Sequence, residues 1–207
     1  FSGAVQANGQ WRGLVDGRGQ ITARLDQVSN GDQRLWRQLD IGIRGSLSDQ
    51  TTDIRLTRDD LSVQSVLRGR LDLNKQAKWQ GQLVQAAVDT QAAGHWTLLA
   101  PAALQLSASE QKLARQCWQQ PPYTICGDAN LDAERWLARV ALDGGSLGNA
   151  ALTLRRDPRQ AEPPLDADVV INTLNLSALP IALPEGLSVA GRVTGKLVLA
   201  GSLKQPR

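Results

Sequence analysis

The sequence predicts an all-β fold arranged as a long antiparallel meander. In most segments apolar and polar residues alternate with period two, which is the pattern of a strand with one buried face. Turn-forming Gly, Asp and Asn residues recur about every ten residues, as they do when consecutive strands pair as neighbours. A helical pattern competes with this alternation in one short segment only.

The clearest alternation is in the segment 187–203, LSVAGRVTGKLVLAGSL. Every second position from Leu187 to Leu203 is apolar or Gly, and most of the positions between them are polar or small. An extended chain of this length would span about 55 Å, which is longer than a usual strand. We therefore expect a bend at one of the Gly residues or an unusually long sheet.

The first half of the chain repeats the same pattern in order. Polar or Gly-containing turns separate the apolar runs, and Pro101 interrupts the last pair of strands. The predicted strands are 13–25, 39–47, 54–56, 61–73, 79–88, 96–99 and 103–108.

The second half begins with the ambiguous segment 109–119. A Ser cap and an early Glu favour a short helix, whereas its few apolar positions also suit a polar strand. Two further strands, 136–142 and 150–154, are predicted to form a hairpin around the turn Asp143-Gly144-Gly145-Ser146.

A charged, Pro-rich break at 155–164 predicts a loop inside what is otherwise one β segment spanning 1–207. A strand is predicted again at 165–171. Pro180 and Pro184 then exclude a central strand from the apolar segment 174–187, which is a candidate cover for part of the sheet.

Composition excludes several classes of function. The 23 Lys and Arg residues are scattered among 20 Asp and Glu residues, so the net charge is only +3 and no basic patch indicates nucleic-acid binding. No apolar run is long enough to predict a transmembrane segment. Because the chain begins at Phe1 and lacks Met, we expect a piece of a longer protein, with any anchor or export signal outside it.

Cys117 and Cys126, the only cysteines, lie nine positions apart in CWQQPPYTIC. This spacing fits a disulfide across a hairpin or tight loop and would indicate an oxidising compartment. The alternative is a pair of reduced thiols in the interior. A metal site is not predicted, because His95 is the only His and two thiolates do not complete a zinc shell.

An enzyme is not predicted, although two motifs resemble active-site sequences. Residues 144–148 match G-x-S-x-G, but alternating strand follows Ser146 where a nucleophile elbow needs a helix. A triad of His95, Asp128 and Ser146 would have a different chain order from that fold. Residues 191–196 match a phosphate loop only loosely, and no cofactor is predicted.

Several longer segments resemble the TamB family of translocation and assembly module proteins, within the AsmA-like bridging proteins. The resemblance covers most of the chain from about residue 36 onward. The segments are GSLSDQTTDIRLT (45–57), RGRLDL (68–73), KWQGQLVQAAVDTQAAGHWTLLAPAALQLS (78–107), CWQQPPYTIC (117–126) and LSALPIALPEGLSVAGRVTGKLVLAGSLKQP (176–206).

The resemblance implies a periplasmic segment of an inner-membrane-anchored protein that spans the cell envelope. It implies a taco-like half-pipe with an apolar inner groove, phospholipid movement between the two membranes, and outer-membrane assembly with a barrel partner of the TamA type. A disulfide would suit the periplasm.

We expect the apolar strand faces to line this groove and to shield lipid acyl chains. The candidate lining residues are Leu187, Val189, Val193, Leu197, Leu199, Leu67, Leu71, Trp136, Val140, Val169 and Ile171. The alternative structure is a closed sandwich or barrel core made of the same residues. The alternative functions are a scaffold that docks a barrel partner through strand edges without carrying lipid, and a carbohydrate-binding domain that uses its Trp residues.

Overall fold

The computed structural model describes residues 2–12, 17–30, 33–74, 76–159, 165–178, 189–202 and 205–206. The chain divides into two compact units, Phe1–Ala108 (unit 1) and Ser109–Arg207 (unit 2). The helices within the described residues are two 3-10 turns of three residues each, Gly145–Leu147 and Leu176–Ala178. All other regular elements there are strands, so the predicted all-β class is confirmed.

Unit 1 contains eight strands that pair antiparallel. The strands are β1 (Ser2–Arg12), β2 (Arg18–Asn30), β3 (Gln33–Ser46), β4 (Gln50–Thr57), β5 (Leu61–Asp72), β6 (Lys78–Thr90), β7 (Gly94–Leu98) and β8 (Ala102–Ser107). Neighbours in sequence pair from β1 to β6. The first half of β6 then pairs with β8 and its second half with β7, because the chain is interrupted around Pro101 as the sequence predicts.

Unit 2 contains six main strands, which also pair antiparallel in chain order. They are β9 (Glu110–Gln120), β10 (Tyr123–Asp132), β11 (Trp136–Asp143), β12 (Gly148–Arg156), β13 (Leu165–Asn175) and β14 (Arg192–Leu199). Two short strands, β15 (Gly201–Ser202) and β16 (Gln205–Pro206), pair with each other. The predicted meander is therefore confirmed within each unit, while the assignment of 1–207 to one segment, with a loop break at 155–164, stays a prediction.

The ambiguous segment 109–119 is a strand and not a helix. As β9 it pairs along most of its length with β10, which places Cys117 directly opposite Cys126. A pairing partner supplies backbone hydrogen bonds and side-chain contacts that local helix propensity cannot match in a short segment. The sequence predicts β10 only as the second arm of a Cys loop. Pairing with β10 is the reason why 109–119 forms a strand.

Gly residues flank the strand within the long alternating segment 187–203. Its strand is the eight-residue β14, and the flanking Gly191 and Gly201 have φ angles of 134° and 133°. These angles are rarely adopted by residues with a side chain, so both positions favour Gly. The segment is therefore not one continuous strand, whereas a bend at a Gly stays a prediction, and residues 187, 188 and 203 lie outside the described residues.

Each unit lacks a packed interior in its described part. Ala102 and Ala167 are the buried apolar residues there, and no large side chain is fully buried. The remaining described apolar side chains are half-buried or exposed. This distribution is not that of a sandwich or barrel core, in which large aliphatic residues are almost fully buried.

Two Gly residues and one Trp ring pack together on β5 and β6. Gly69 pairs with Gly81, and the ring of Trp79 lies beside both. A Cβ atom at Gly81 would lie 2.6 Å from both the Gly69 Cα and a Trp79 ring atom, and closer still to the Arg68 carbonyl oxygen. The missing side chains therefore make room for the indole ring on this face.

We expect Gly81→Ala to lower the free energy of unfolding by about 1–3 kcal/mol, because backbone atoms of β5 would have to move. Gly42→Ala is the matched control, since a Cβ at Gly42 meets nothing within 4 Å. Urea unfolding followed by Trp fluorescence measures both variants. Equal unfolding midpoints for the two variants would contradict the close packing of Gly81 against β5 and the Trp79 ring.

Cys117 and Cys126 form a disulfide across the β9–β10 pair, as one of the two sequence interpretations predicts. We expect its removal by a double Ser substitution to lower the free energy of unfolding by about 2–3 kcal/mol, because the closed loop is short. Urea unfolding with and without reducing agent tests this. The reducing agent should shift the midpoint of the unmodified chain and leave that of the double variant unchanged. If both respond alike, the effect does not come from the disulfide.

Candidate functional site

The candidate site is a face of unit 2 that antiparallel pairing makes continuous. Residues directly opposite each other in paired strands point to the same side of a sheet. Val140 pairs with Leu152, which pairs with Val169, and Val169 pairs in turn with Leu197. These side chains form one apolar row across β11, β12, β13 and β14.

Two further rows flank this central row on the same side. One contains Ala138, Leu154, Ala167 and Leu199, and the other contains Leu142, Ala150, Ile171 and Gly195. Trp136 and Val193 lie on the same side, on β11 and β14 respectively. We call this surface the apolar face of unit 2.

The apolar face of unit 2 is exposed at several large residues. Leu197 has 52% of its surface accessible and Trp136 has 39%, and Val140, Val193 and Leu199 are also exposed. Contiguous apolar surface of this kind is rare in soluble proteins unless it binds something. The face is therefore the strongest candidate for a binding surface in unit 2.

The structure brings together most of the candidate lining residues in unit 2. Trp136, Val140, Val169, Ile171, Val193, Leu197 and Leu199 all belong to the apolar face of unit 2. Val189 is half-buried and precedes β14, outside any strand. Leu187 lies outside the described residues. The role of these residues as a lipid lining stays a prediction.

The other two candidates, Leu67 and Leu71, belong to unit 1. On β5 they lie opposite Leu83 and Trp79 of β6. The row through Leu67 is apolar except at one Thr: Gly9, Ile21, Ile43, Thr52, Leu67, Leu83 and Ala102. Unit 1 thus has an apolar face of its own, built by the same pairing rule.

Leu152 and Leu154 were missed as lining residues by the sequence analysis. The alternation in β12 predicts that they share one face of the strand. It does not determine which residues of the neighbouring strands they contact. The register places Leu152 in the middle of the central apolar row, between Val140 and Val169. Register depends on both partner strands and on bulges such as the one in the β13–β14 pair, so a single strand's sequence could not reveal it.

The opposite face of unit 2 is polar and carries ion pairs. Asp168 contacts Arg155, and the Lys196 Nζ lies 3.5 Å from an Asp168 carboxylate oxygen. The hydrogen bond from Arg155, assisted by the charge of Lys196, holds the pKa of Asp168 below its usual value. Arg139 and Asp128 form another pair on this side, at 3.3 Å.

Unit 1 has a similar charged side. The Arg24 Nε donates to an Asp40 carboxylate oxygen at 2.7 Å, and this hydrogen bond is the main cause of a lowered pKa at Asp40. Arg44 contacts Asp53 on the same side. Each unit therefore separates an apolar surface from a charged one, as the alternation predicts.

The residues of the enzyme-like motifs have structural roles. Ser146 lies in the 3-10 turn of the β11–β12 hairpin, where Gly145 N–H donates to Asp143 at 3.0 Å, and strand β12 follows where an elbow would need a helix. His95 Nδ1 lies 2.5 Å from Asp89, and Asp128 pairs with Arg139. Within the described ranges no three His, Cys, Asp or Glu side chains cluster to hold a metal ion.

The lowered pKa of Asp168 predicts a pH dependence of stability. A carboxyl group with a depressed folded-state pKa stabilises the fold above its unfolded pKa of about 3.9, and this contribution is lost as the pH falls towards the folded value. We expect Asp168→Asn to be less stable than the unmodified chain at pH 7. The difference should shrink steadily as the pH falls below 4.

Urea unfolding midpoints at pH 7, 4 and 3 measure this difference. Asp166→Asn is the control, because Asp166 is on the same side of β13 but forms no ion pair with a described residue. A difference between Asp168→Asn and the unmodified chain that stays constant with pH would show that the ion pairs do not stabilise the fold.

Comparison with known protein families places this arrangement in context. Residues 2–136 match the family model described as TamB, N-terminal domain. This span is more than half of the chain, and it begins earlier than the resemblance noted from the sequence. No curated protein and no solved structure matches the chain significantly.

No helix in the described part of the chain has the length and apolar character needed to cross a membrane.

Proposed function

Because this chain belongs to the TamB family, we propose that it is a periplasmic segment of an inner-membrane-anchored protein that spans the cell envelope. Its apolar faces shield lipid acyl chains while phospholipid moves between the inner and outer membranes. In each unit the apolar face contacts lipid and the charged face contacts water.

The observation that carries this proposal is the apolar row Val140, Leu152, Val169 and Leu197, which is exposed at Val140 and Leu197 and half-buried between them. Burying an acyl chain against such a surface is worth about 0.8 kcal/mol per CH₂ group. The central row contains no polar group that would hold a ligand at one point. An acyl chain can therefore bind reversibly and slide along the row. Such a surface is more typical of a protein that carries lipid tails than of one that binds a ligand in a fixed pocket.

The disulfide between Cys117 and Cys126 supports the periplasmic location. Disulfides form and persist in oxidising compartments, which include the bacterial periplasm, and are rare in the cytosol. The ion pairs on the opposite face support the proposed orientation, because charged side chains of this kind remain in contact with water.

A second candidate function is docking of an outer-membrane barrel partner of the TamA type by strand addition. Every residue of β14 is exposed, and no described strand pairs with the edge of β14 that faces away from β13. An open edge of this kind is a template for an added strand. In this alternative the chain acts as an assembly scaffold and carries no lipid.

A photoreactive amino acid at position 197, compared with one at position 198, tests the lipid proposal. Leu197 is on the apolar face of unit 2, while its neighbour Val198 is opposite Asp168 on the charged face and is 57% exposed. The two positions thus lie on the same strand and are similarly exposed, but their side chains are on opposite faces of the sheet. In cells we expect phospholipid adducts from position 197 and at least about fivefold fewer from position 198.

Equal lipid adducts at both positions, or none at position 197, would overturn the lipid proposal. A barrel-protein adduct at both positions, without lipid, would favour the docking alternative. Leu197→Arg should abolish lipid adducts formed from a photoreactive group at Val140, whereas Val198→Arg should not. Both variants should unfold at the same urea concentration as the parent chain, because both positions are exposed.

A further inference from the structure

A polar pocket of about 630 Å³ lies on the charged side of unit 1, over strands β1–β4. Two rows of paired residues line it. One row is Asn8, Thr22, Gly42 and Asp53, and the other is Gln6, Arg24, Asp40 and Arg55. Residues opposite each other share a face, and the two rows are two residues apart in every strand. Both rows are therefore on the same side of the sheet.

Gly42 leaves the floor of this pocket bare. A Cβ atom added at Gly42 would meet nothing within 4 Å, and the φ angle of Gly42 is not positive. The other residues of its row have short side chains, whereas the rows on either side carry longer ones. These longer residues are Gln6, Arg24 and Arg55 on one side and Gln10, Gln20 and Arg44 on the other. The result is a shallow groove that crosses the four strands over about 14 Å.

The charges around this groove are balanced. The Arg24 Nε donates to an Asp40 carboxylate oxygen at 2.7 Å, and Arg44 contacts Asp53. Arg55 is opposite Asp40 and forms no ion pair with any residue that the structure describes. An ionic ligand of either sign would meet a like charge in the lining. The pocket therefore favours a neutral ligand.

Three side chains of the pocket have open hydrogen-bonding groups. The amides of Gln6 and Asn8 and the guanidinium of Arg55 make no side-chain hydrogen bond within the described part of the chain. An amide both donates and accepts, and a guanidinium donates in a planar fork. Hydroxyl groups are suitable partners for both, because they also donate and accept. The groove thus complements a neutral ligand that carries many hydroxyl groups.

The groove suits a sugar chain better than a peptide. An extended peptide gains affinity from main-chain hydrogen bonds when it adds to the edge of a sheet. In the middle of the groove the backbones of β2 and β3 are already paired on both sides, so only side chains are available to a ligand. A sugar chain binds through its hydroxyl groups and needs no backbone ladder.

We propose that this groove binds a neutral oligosaccharide. A sugar ring lies on the bare floor at Gly42, Arg55 donates to its hydroxyl oxygens, and the amides of Gln6 and Asn8 bind the hydroxyl groups of another ring. The site is on the opposite side of the sheet from the apolar face of unit 1. It goes beyond the proposed lipid function and does not depend on it. Its lining residues include no aromatic ring, so hydrogen bonds carry the affinity.

Titration of the isotope-labelled chain with cellotetraose and with chitotetraose, followed by amide NMR, tests the site. Both are neutral, extended chains of hydroxylated rings. We expect the largest shift changes at Gly42 and at its row neighbours Thr22 and Asp53. Two charged tetrasaccharides, tetragalacturonate and fully deacetylated chitotetraose, should bind at least about tenfold more weakly, because each meets like charges in the lining.

Gly42→Phe and Thr97→Phe form a matched pair of variants. The ring at position 42 fills the floor of the groove and should weaken binding of the neutral sugars at least about tenfold. Thr97 is exposed on the same side of unit 1 but is on β7, outside the pocket, so Thr97→Phe should leave the affinity unchanged. Urea unfolding midpoints show whether both variants are folded.

Arg55→Gln tests the site without adding bulk. It should weaken binding about tenfold through loss of charge-assisted hydrogen bonds. Arg68→Gln is the control, because Arg68 is on the same side of β5 but does not line the pocket. If Gly42→Phe does not fold, this second pair of variants decides the outcome.

Three results would overturn the proposal. The first is no shift change around Gly42 with either neutral sugar, or unchanged affinity in folded Gly42→Phe and in Arg55→Gln. The second is tighter binding of a charged tetrasaccharide, which would show that the groove selects charge. The third is a larger shift change at Gly42 with a capped neutral tetrapeptide, which would assign the groove to a peptide. The lipid proposal is tested separately by the adducts at position 197.

Discussion

Antiparallel register is the constraint on which the rest of this structure depends. Each strand alternates between apolar and polar residues, but only pairing in register turns that alternation into a surface. The row Val140, Leu152, Val169 and Leu197 exists because three successive strand pairs are aligned. A shift of one residue in any pair would place charged side chains such as Lys196 on the apolar side.

Because the described part of each unit lacks a packed interior, its stability has to come from contacts within the sheet. Backbone ladders supply most of these contacts, and cross-strand pairs add to them. The Trp79 ring fills the space above Gly69 and Gly81, the disulfide joins β9 to β10, and Asp168 links β12, β13 and β14 through Arg155 and Lys196. Within the described residues no second layer covers the apolar faces, which leaves them accessible to a ligand.

The same arrangement suits the TamB family to which the chain belongs. A lipid tail has no feature for a specific polar contact, so a carrier needs extended apolar surface more than it needs a catalytic group. The apolar face of unit 2 offers such a surface, and the Arg156–Trp136 pair marks one end of it.

Local sequence determined the strand class and the hairpin turn at 143–146, because each depends on neighbours close in the chain, and it left open whether Cys117 and Cys126 form a disulfide. Only the tertiary structure decided that 109–119 is a strand, that Cys117 and Cys126 are joined, that Leu152 joins the central apolar row, and that Arg156 stacks on Trp136. The physical reason is that side-chain alternation is a property of one strand, whereas register, bulges and shared pockets are properties of several strands together.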